Sequence, residues 1–390
     1  MKIALVTQLG AAHSADDYPV DPARQVVPLA GALAGQGQQV TVYSREDPAC
    51  ERPAGSGHCP GVTIDQIPAG RPERLQDIAA LASQLADRWS CDPPDVIHAH
   101  FWTSGLAALA GARDLGIPVV QTFHALGTGA GARPGRLLAG AGDAARSRLE
   151  AAIGRSAAAV MASTSDERAA LARLGIPRSS VTIVPSGVDI TRFRPPGRAA
   201  ERGRRARLLM VSPPDDREGP AATLRALADV PGAELVIAGG PGSDPGDEAL
   251  SRLARTLGVG DRLTCLGRVS EAGMPPLMRS ADVLVHLTPS PRFAMVPVEA
   301  MACGTPVIAG EDAALGDAVI HGNTGLLVPS AEPAQLARRI RQLLASPMLL
   351  EGYGIAAASR VRSCYSWARV GQETLAVYEA VVTPPAEAAA

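Results

Sequence analysis

Short β-rich runs alternate with helical runs along this chain, and after one break the alternation starts again, which leaves few architectures open. The first series reads KIALVTQL, a helix around VVPLAGALAGQG, QQVTVYS, a helix around RLQDIAALASQLADRWS, then DVIHAH. It continues with a helix GLAALAGARDLG, the strand PVVQTFH, a helix near AARSRLEAAIGRSA, and the strands AVMAST and VTIVPS. Strands separated by helices at this spacing pair in parallel, with helices on both faces of the sheet. Residues 189–206, DITRFRPPGRAAERGRRA, interrupt the pattern with Pro, Gly and Arg and read as a linker crossing a surface. RLLMVSP, TLRALADV, ELVIAGG, DEALSRLARTLG, LTCLGRV, MPPLMRSA, VLVHL, a helix carrying Glu299, PVIAG and GLLVP then form a second series. An α/β chain with two Rossmann-like domains is expected.

Size agrees, because 390 residues exceed what one hydrophobic core serves. No apolar run approaches the roughly 18–20 residues of a membrane span. MKIALVTQLG is followed by acidic residues in GAAHSADDYP and reads as a first strand, so a cytoplasmic location is expected. The six cysteines are scattered without C-x-x-C pairs, which points to neither a zinc site nor a disulfide framework. A net charge of −2 leaves no footprint for nucleic acid. Lys2 is the only lysine, so every other fixed cation is an arginine.

Ligands of doubly wound sheets bind at the carboxyl ends of the strands. In SPRFAMVPVEAMACGTPVIAG, residues 290–310, a strand end, a turn and a helix N-terminus follow one another. Free N–H groups of such a first turn attract a phosphate-bearing ligand. Glu299 is the one carboxylate on the first turns of that apolar helix, where the macrodipole alone would favour it. Gly239 and Gly240, in GGPG after ELVIA, permit close backbone approach, although any strand-to-helix turn can use glycine. His98, His100 and His124 stand at strand ends, and His98, preceding an apolar wall, reads as a structural residue. Asp166 and Glu167 in STSDE match a helix N-terminal cap.

PPDVIHAHFWTSGLAA, PVVQTFHALG, VTIVPSGVD, ELVIAGG and VEAMACGTPVIA, in this order, resemble the family 4 retaining glycosyltransferases of the GT-B fold, in the branch of mycothiol glycosyltransferase and sucrose-phosphate synthase. The resemblance implies two Rossmann-like domains facing across a cleft: an acceptor domain over residues 1–190, a linker over 191–206 and a donor domain over 207–365. A C-terminal helix over 366–382 would cross back to the first domain, leaving a disordered tail over 383–390. The implied ligands are a nucleotide-sugar co-substrate and a small-molecule or glycan acceptor, with no metal and no cofactor. His124 is implied beside the transferred sugar, with His100, Asp166 and Glu167 on the acceptor side. Donor contacts are implied for Glu299 at the ribose, for Gly239, Gly240, Arg217 and Arg268, and for the run Phe293, Ala294, Met295 and Val296. Phe101 and Trp102 are expected at the interdomain face.

The chain departs from the family where the donor is held. The family's diphosphate-binding Arg and Lys are replaced by Pro213 and Glu218 in VSPPDDREG, with Arg217 the adjacent substitute. Two lost charge-assisted contacts of about 1.5–3 kcal/mol each correspond to a roughly 10²–10⁴-fold weaker hold. The first Glu of the family's E-x7-E pair is replaced by Pro291, which has no N–H and no side-chain acceptor. DPARQ, residues 21–25, and Ala313 and Ala314 replace glycine-rich segments. Two functions follow: a nucleotide-sugar-dependent hexosyl transferase with retention, or an inactive relative that binds or regulates a partner glycosyltransferase.

Overall fold

The computed structural model describes residues 1–7, 25–45, 61–68, 70, 74–127, 143–213, 216–239, 245–288, 294–311, 317–329 and 332–383. The chain divides into two compact units. One reaches Gly187 and is rejoined by the segment from Trp367 onward; the other spans Val188–Ser366.

In the first unit the order is β1 (Lys2–Thr7), α1 (Val26–Ala34), β2 (Gln39–Arg45), β3 (Val62–Ile67), α2 (Leu75–Cys91), β4 (Val96–His100), α3 (Trp102–Gly111), β5 (Val119–Thr122), α4 (Asp143–Ser156), β6 (Ala159–Ala162), α5 (Ser165–Arg173) and β7 (Val181–Ile183). Its sheet runs β3-β2-β1-β4-β5-β6-β7, every pair parallel, with Ile3 opposite both Val40 and Val96. β4 and β5 are buried along their whole length, as strands covered on both faces must be. Winding reverses between β1 and β4, so the carboxyl ends of these strands open a crevice of the kind where such sheets take ligands. β3 was not among the expected strands. It is an edge strand with only Ile67 fully buried, so its apolar alternation is short of the strength that a central strand shows.

The second unit contains β8 (Ala206–Ser212), α6 (Glu218–Ala228), β9 (Ala233–Gly239), α7 (Pro245–Thr256), β10 (Leu263–Gly267), α8 (Met274–Ser280), β11 (Val283–His286), α9 (Met295–Ala302), β12 (Val307–Gly310), β13 (Gly325–Val328), α10 (Pro333–Leu344) and α11 (Pro347–Cys364). Strand order is β10-β9-β8-β11-β12-β13, again parallel, with the reversal between β8 and β11. The Arg-rich segment is no loose linker: it is strapped to this unit. Arg192 pairs with Glu271, Arg202 with Asp282 at 2.6 Å, Arg205 with Asp261 at 2.7 Å and Arg207 with Glu234 at 2.8 Å, while Phe193 is buried.

The last helix, α12 (Trp367–Val382), packs on α1 in the first unit. Val370, Val377 and Tyr378 join Ile3, Leu5, Val26 and Leu33 in one apolar cluster. Gly371 allows the approach, since a Cβ there would lie 2.6 Å from the Gln36 side chain and 3.2 Å from Ala32. No described helix is long and apolar enough to cross a membrane.

Candidate active site

At the carboxyl ends of β4 and β5 the first unit gathers three imidazoles. His98 Nδ1 lies 2.6 Å from the Tyr378 hydroxyl and its Nε2 lies 2.8 Å from Thr122 Oγ1. His100 Nδ1 lies 2.9 Å from His124 Nε2, with the two rings stacked at 5.2 Å. His98 and His100 are buried, whereas His124 is half-buried and reaches the surface. Burial, with the nearby His124 imidazole, pushes His98 down to about 3. Burial, with both neighbouring imidazoles, holds His100 well below the ordinary histidine range. Both rings are therefore neutral near pH 7. Thr7 Oγ1, at the end of β1, and His100 Nε2 are buried without a hydrogen-bond partner among the described residues.

The backbone around these rings is strained. His124 has φ 59° and Phe101 has φ 70° with ψ 153°, a region that side chains other than hydrogen rarely enter. Their rings meet at 4.7 Å. Fixed hydrogen bonds hold both residues there. The Phe101 N–H donates to the Thr122 carbonyl at 2.9 Å, and the Ala125 N–H donates to the Phe123 carbonyl at 2.7 Å, closing a tight turn over His124. The buried Glu150 of α4 accepts from the Gly127 N–H at 3.0 and 3.1 Å, and from Arg146 Nε at 2.7 Å. Arg146 also donates to the Ala125 carbonyl at 2.8 Å.

In the second unit the corresponding turn, β8 to α6, is closed by a carboxylate of the chain itself. Asp216 Oδ1 accepts from the Gly219 N–H at 3.1 Å and its Oδ2 accepts from the Ser212 hydroxyl at 3.2 Å. One of the free donors at the start of α6 is thus occupied by an internal anion. Glu218 is exposed in the first turn and Arg217 is exposed at the cap position, with no ion pair among the described residues. Gly239 has φ 73°, and a Cβ there would lie 2.7 Å from the Ser212 carbonyl, so the fold itself requires glycine at this position. His286, at the end of β11, is buried with neither ring nitrogen bonded among the described residues, and burial pushes it down to about 4.

Residues 22–187 match the glycosyl transferase 4-like domain and residues 196–360 the glycosyl transferases group 1 domain. D-inositol 3-phosphate glycosyltransferase 1 of Catenulispora acidiphila is 32% identical over 92% of this chain and 90% of its own. This chain belongs to the group 1, or family 4, glycosyltransferases. Among solved structures, sucrose-phosphate synthase from Thermosynechococcus elongatus matches with a TM-score of 0.78, 26% identity and coverage of 97% and 98% of the two chains. The Anabaena protein HepE, solved with UDP, has the same fold at a TM-score of 0.74 and 18% identity, covering 97% of this chain and all of its own. The fold of this group 1 glycosyltransferase is thus GT-B.

Within this glycosyltransferase the expected residues fall into separate groups. His100 and His124 are in direct contact, and His98 is the satisfied structural residue that its setting suggested. Trp102 is buried in the core of the first unit, with α3 starting directly after Phe101. Glu167 caps α5, its N–H bonded to Thr164 Oγ1 at 3.1 Å and its Oε2 accepting from the Ser163 N–H at 2.7 Å, while Asp166 is exposed. Burial raises the Glu167 carboxyl. Glu299 is not on the first turn of its helix, since α9 starts at Met295 after Ala294 and has no acidic residue in that turn. The macrodipole account of Glu299 therefore fails. Val296 is buried in the core, which leaves only its backbone for a ligand, and Pro297 contributes no N–H to the helix start. Arg268 is exposed at the end of the edge strand β10, with β9 between it and β8. Gly240, Pro291, Phe293, Ala313, Ala314, residues 21–24 and the tail after Thr383 lie outside the described residues. Tyr378, Glu150, Asp216 and His286 were not singled out in advance. Only Asp216 carried a sequence signal, an acidic residue two before the first residue of the helix, Glu218.

Proposed function

We propose that this chain transfers a hexosyl group from a nucleoside-diphosphate sugar to an acceptor hydroxyl, with retention at the anomeric carbon and a weak hold on the donor diphosphate. The observation that carries the reading is His124, kept in a left-handed backbone conformation at the carboxyl end of β5 and joined directly to His100. A strained residue of this kind is maintained by surrounding bonds, and such strain collects at functional sites. His124 would contact the transferred sugar, while backbone N–H groups at helix starts would face the developing negative charge on the leaving diphosphate. Arg217 is the cation available beside the β8–α6 turn.

A second reading, a relative that binds without transferring, is favoured by that same turn. Pro213 and Glu218 stand at the family's cation positions, and the Asp216 carboxylate already holds the Gly219 N–H. The test is to incubate the protein with UDP- and GDP-sugars and a panel of acceptor alcohols that includes inositol 3-phosphate, the acceptor named for its relatives. Nucleoside diphosphate release is followed together with calorimetric binding. Slow release, a product with the donor's anomeric configuration and millimolar nucleotide affinity are expected. Binding without release would install the second reading, and an inverted product would overturn the first.

A further inference from the structure

We infer that His100 is a positioning residue that sets where His124 carries its proton: His100 Nδ1–H donates to His124 Nε2, so neutral His124 is protonated on Nδ1 and offers a donor there. The proton positions rest on geometry and burial; only the consequence for sugar recognition rests on the proposed function.

The argument follows from counting protons among buried groups. A neutral imidazole has one N–H and one bare nitrogen. Between His100 Nδ1 and His124 Nε2, 2.9 Å apart, there is room for one hydrogen. If His124 donated, His100 would have to carry its own proton on Nε2, a buried atom without any acceptor among the described residues. Orphaned buried N–H groups are rare, somewhat rarer than under-satisfied acceptors. With His100 donating, the unpartnered atom is instead a bare nitrogen. Burial keeps His100 neutral, so it cannot carry both protons.

The neighbouring pair obeys the same rule in the opposite sense. The Tyr378 hydroxyl is fully buried, and its partner is His98 Nδ1 at 2.6 Å. A phenol in that position keeps its proton, since burial raises it well above its ordinary range, and so Tyr378 donates. His98 therefore carries its proton on Nε2 and donates to Thr122 Oγ1. The two adjacent histidines of β4 are thus held in opposite tautomers. His98 and His100 touch only through their faces, with centroids 4.2 Å apart, so neither sets the other's proton by a hydrogen bond.

The consequence for a sugar substrate is that His124, seen from Nδ1, donates a hydrogen bond to a hydroxyl oxygen and does not take its proton. Its role in transfer is to orient, and base catalysis by that atom is excluded.

The test uses the full-length protein labelled with ¹⁵N-histidine, and its seven histidines make the spectrum tractable. Long-range ¹H–¹⁵N correlation at neutral pH separates protonated from bare ring nitrogens, with His98, His100 and His124 assigned by single substitution. Expected are a bare Nε2 on His124, a protonated Nδ1 on His100 and a protonated Nε2 on His98. A protonated Nε2 on His124 in the wild type overturns the inference. His100→Leu should return His124 to a mixture dominated by the Nε2–H form that free imidazole favours. His100→Asn, whose amide nitrogen stands near the Nδ1 position, should restore the Nδ1–H form. If His124 keeps Nδ1–H in His100→Leu, the positioning role is wrong. Should His100→Leu fail to fold, the wild-type and His100→Asn spectra decide. None of these readouts uses turnover, so a failure to find transferase activity leaves this test intact.

Discussion

His286 shows how one side chain can tie stability to pH. It is buried with both ring nitrogens unbonded among the described residues, and burial pushes it down to about 4, while His98 is pushed down to about 3. In the unfolded chain both titrate near 6.5. As pH falls from about 6.5 toward 4, the unfolded state takes up protons that the folded state refuses, so stability is lost across that window and is fully present above it. His286 alone accounts for a loss of about 3 kcal/mol, at about 1.4 kcal/mol per pH unit. His286→Leu, which removes two unsatisfied nitrogens, should raise stability at pH 7 by about 1–3 kcal/mol and flatten the acid limb. Denaturant titrations at pH 7.5 and 5 would measure both effects. At this scale the sequence was legible where a residue's neighbours along the chain decide its setting. His98 read correctly as structural because it sits within an apolar strand, and Glu167 offered both the cap that it forms and an acceptor role. That α3 begins at Trp102 depends on the strained backbone of Phe101, which no periodicity encodes.

Among the elements, the β8–α6 turn is where the proposed function places the donor's anion. Asp216 stabilises the start of α6 by accepting from Gly219, and it places a negative charge where a donor diphosphate would approach. Asp216→Asn keeps a capping acceptor and removes the charge. Helix stability should change by less than about 0.5 kcal/mol, and UDP or GDP affinity should rise about tenfold, the effect of one unit charge several ångströms away in a partly hydrated site. Asp216→Ala should lose about 1 kcal/mol of stability because the cap goes with the charge. Melting curves and calorimetric titration separate the two. The central strands and most helices were legible as apolar runs of the right length. β3, α10 and α11 were not, because β3 is an edge strand with little burial and the two helices follow one another without an intervening strand to punctuate them. The place of Glu299 on the second turn has a similar cause: α9 starts at Met295 without a side-chain cap, and an apolar run shows no boundary there.

At the scale of the whole molecule, the repeated alternation was enough to specify two Rossmann-like units, and the return of the last helix came from family resemblance. What the sequence hid is that this helix supplies part of the candidate site, since a tyrosine on an amphipathic helix looks like any other core residue. Stopping the chain after Ser366 would remove Val370, Val377 and Tyr378 from the first core. Each such side chain contributes about 1.5–3 kcal/mol by burial, and their sum matches the entire stability of an ordinary domain. Calorimetry of the truncated protein should show the transition of the second unit and no cooperative transition of the first. The same closure orders events during synthesis. On the ribosome, the first unit emerges without its final helix and waits while the whole of the second unit is translated. The Tyr378 to His98 bond, and with it the fixed proton of His98, forms only after the second unit has been translated, so no shorter polypeptide completes that bond.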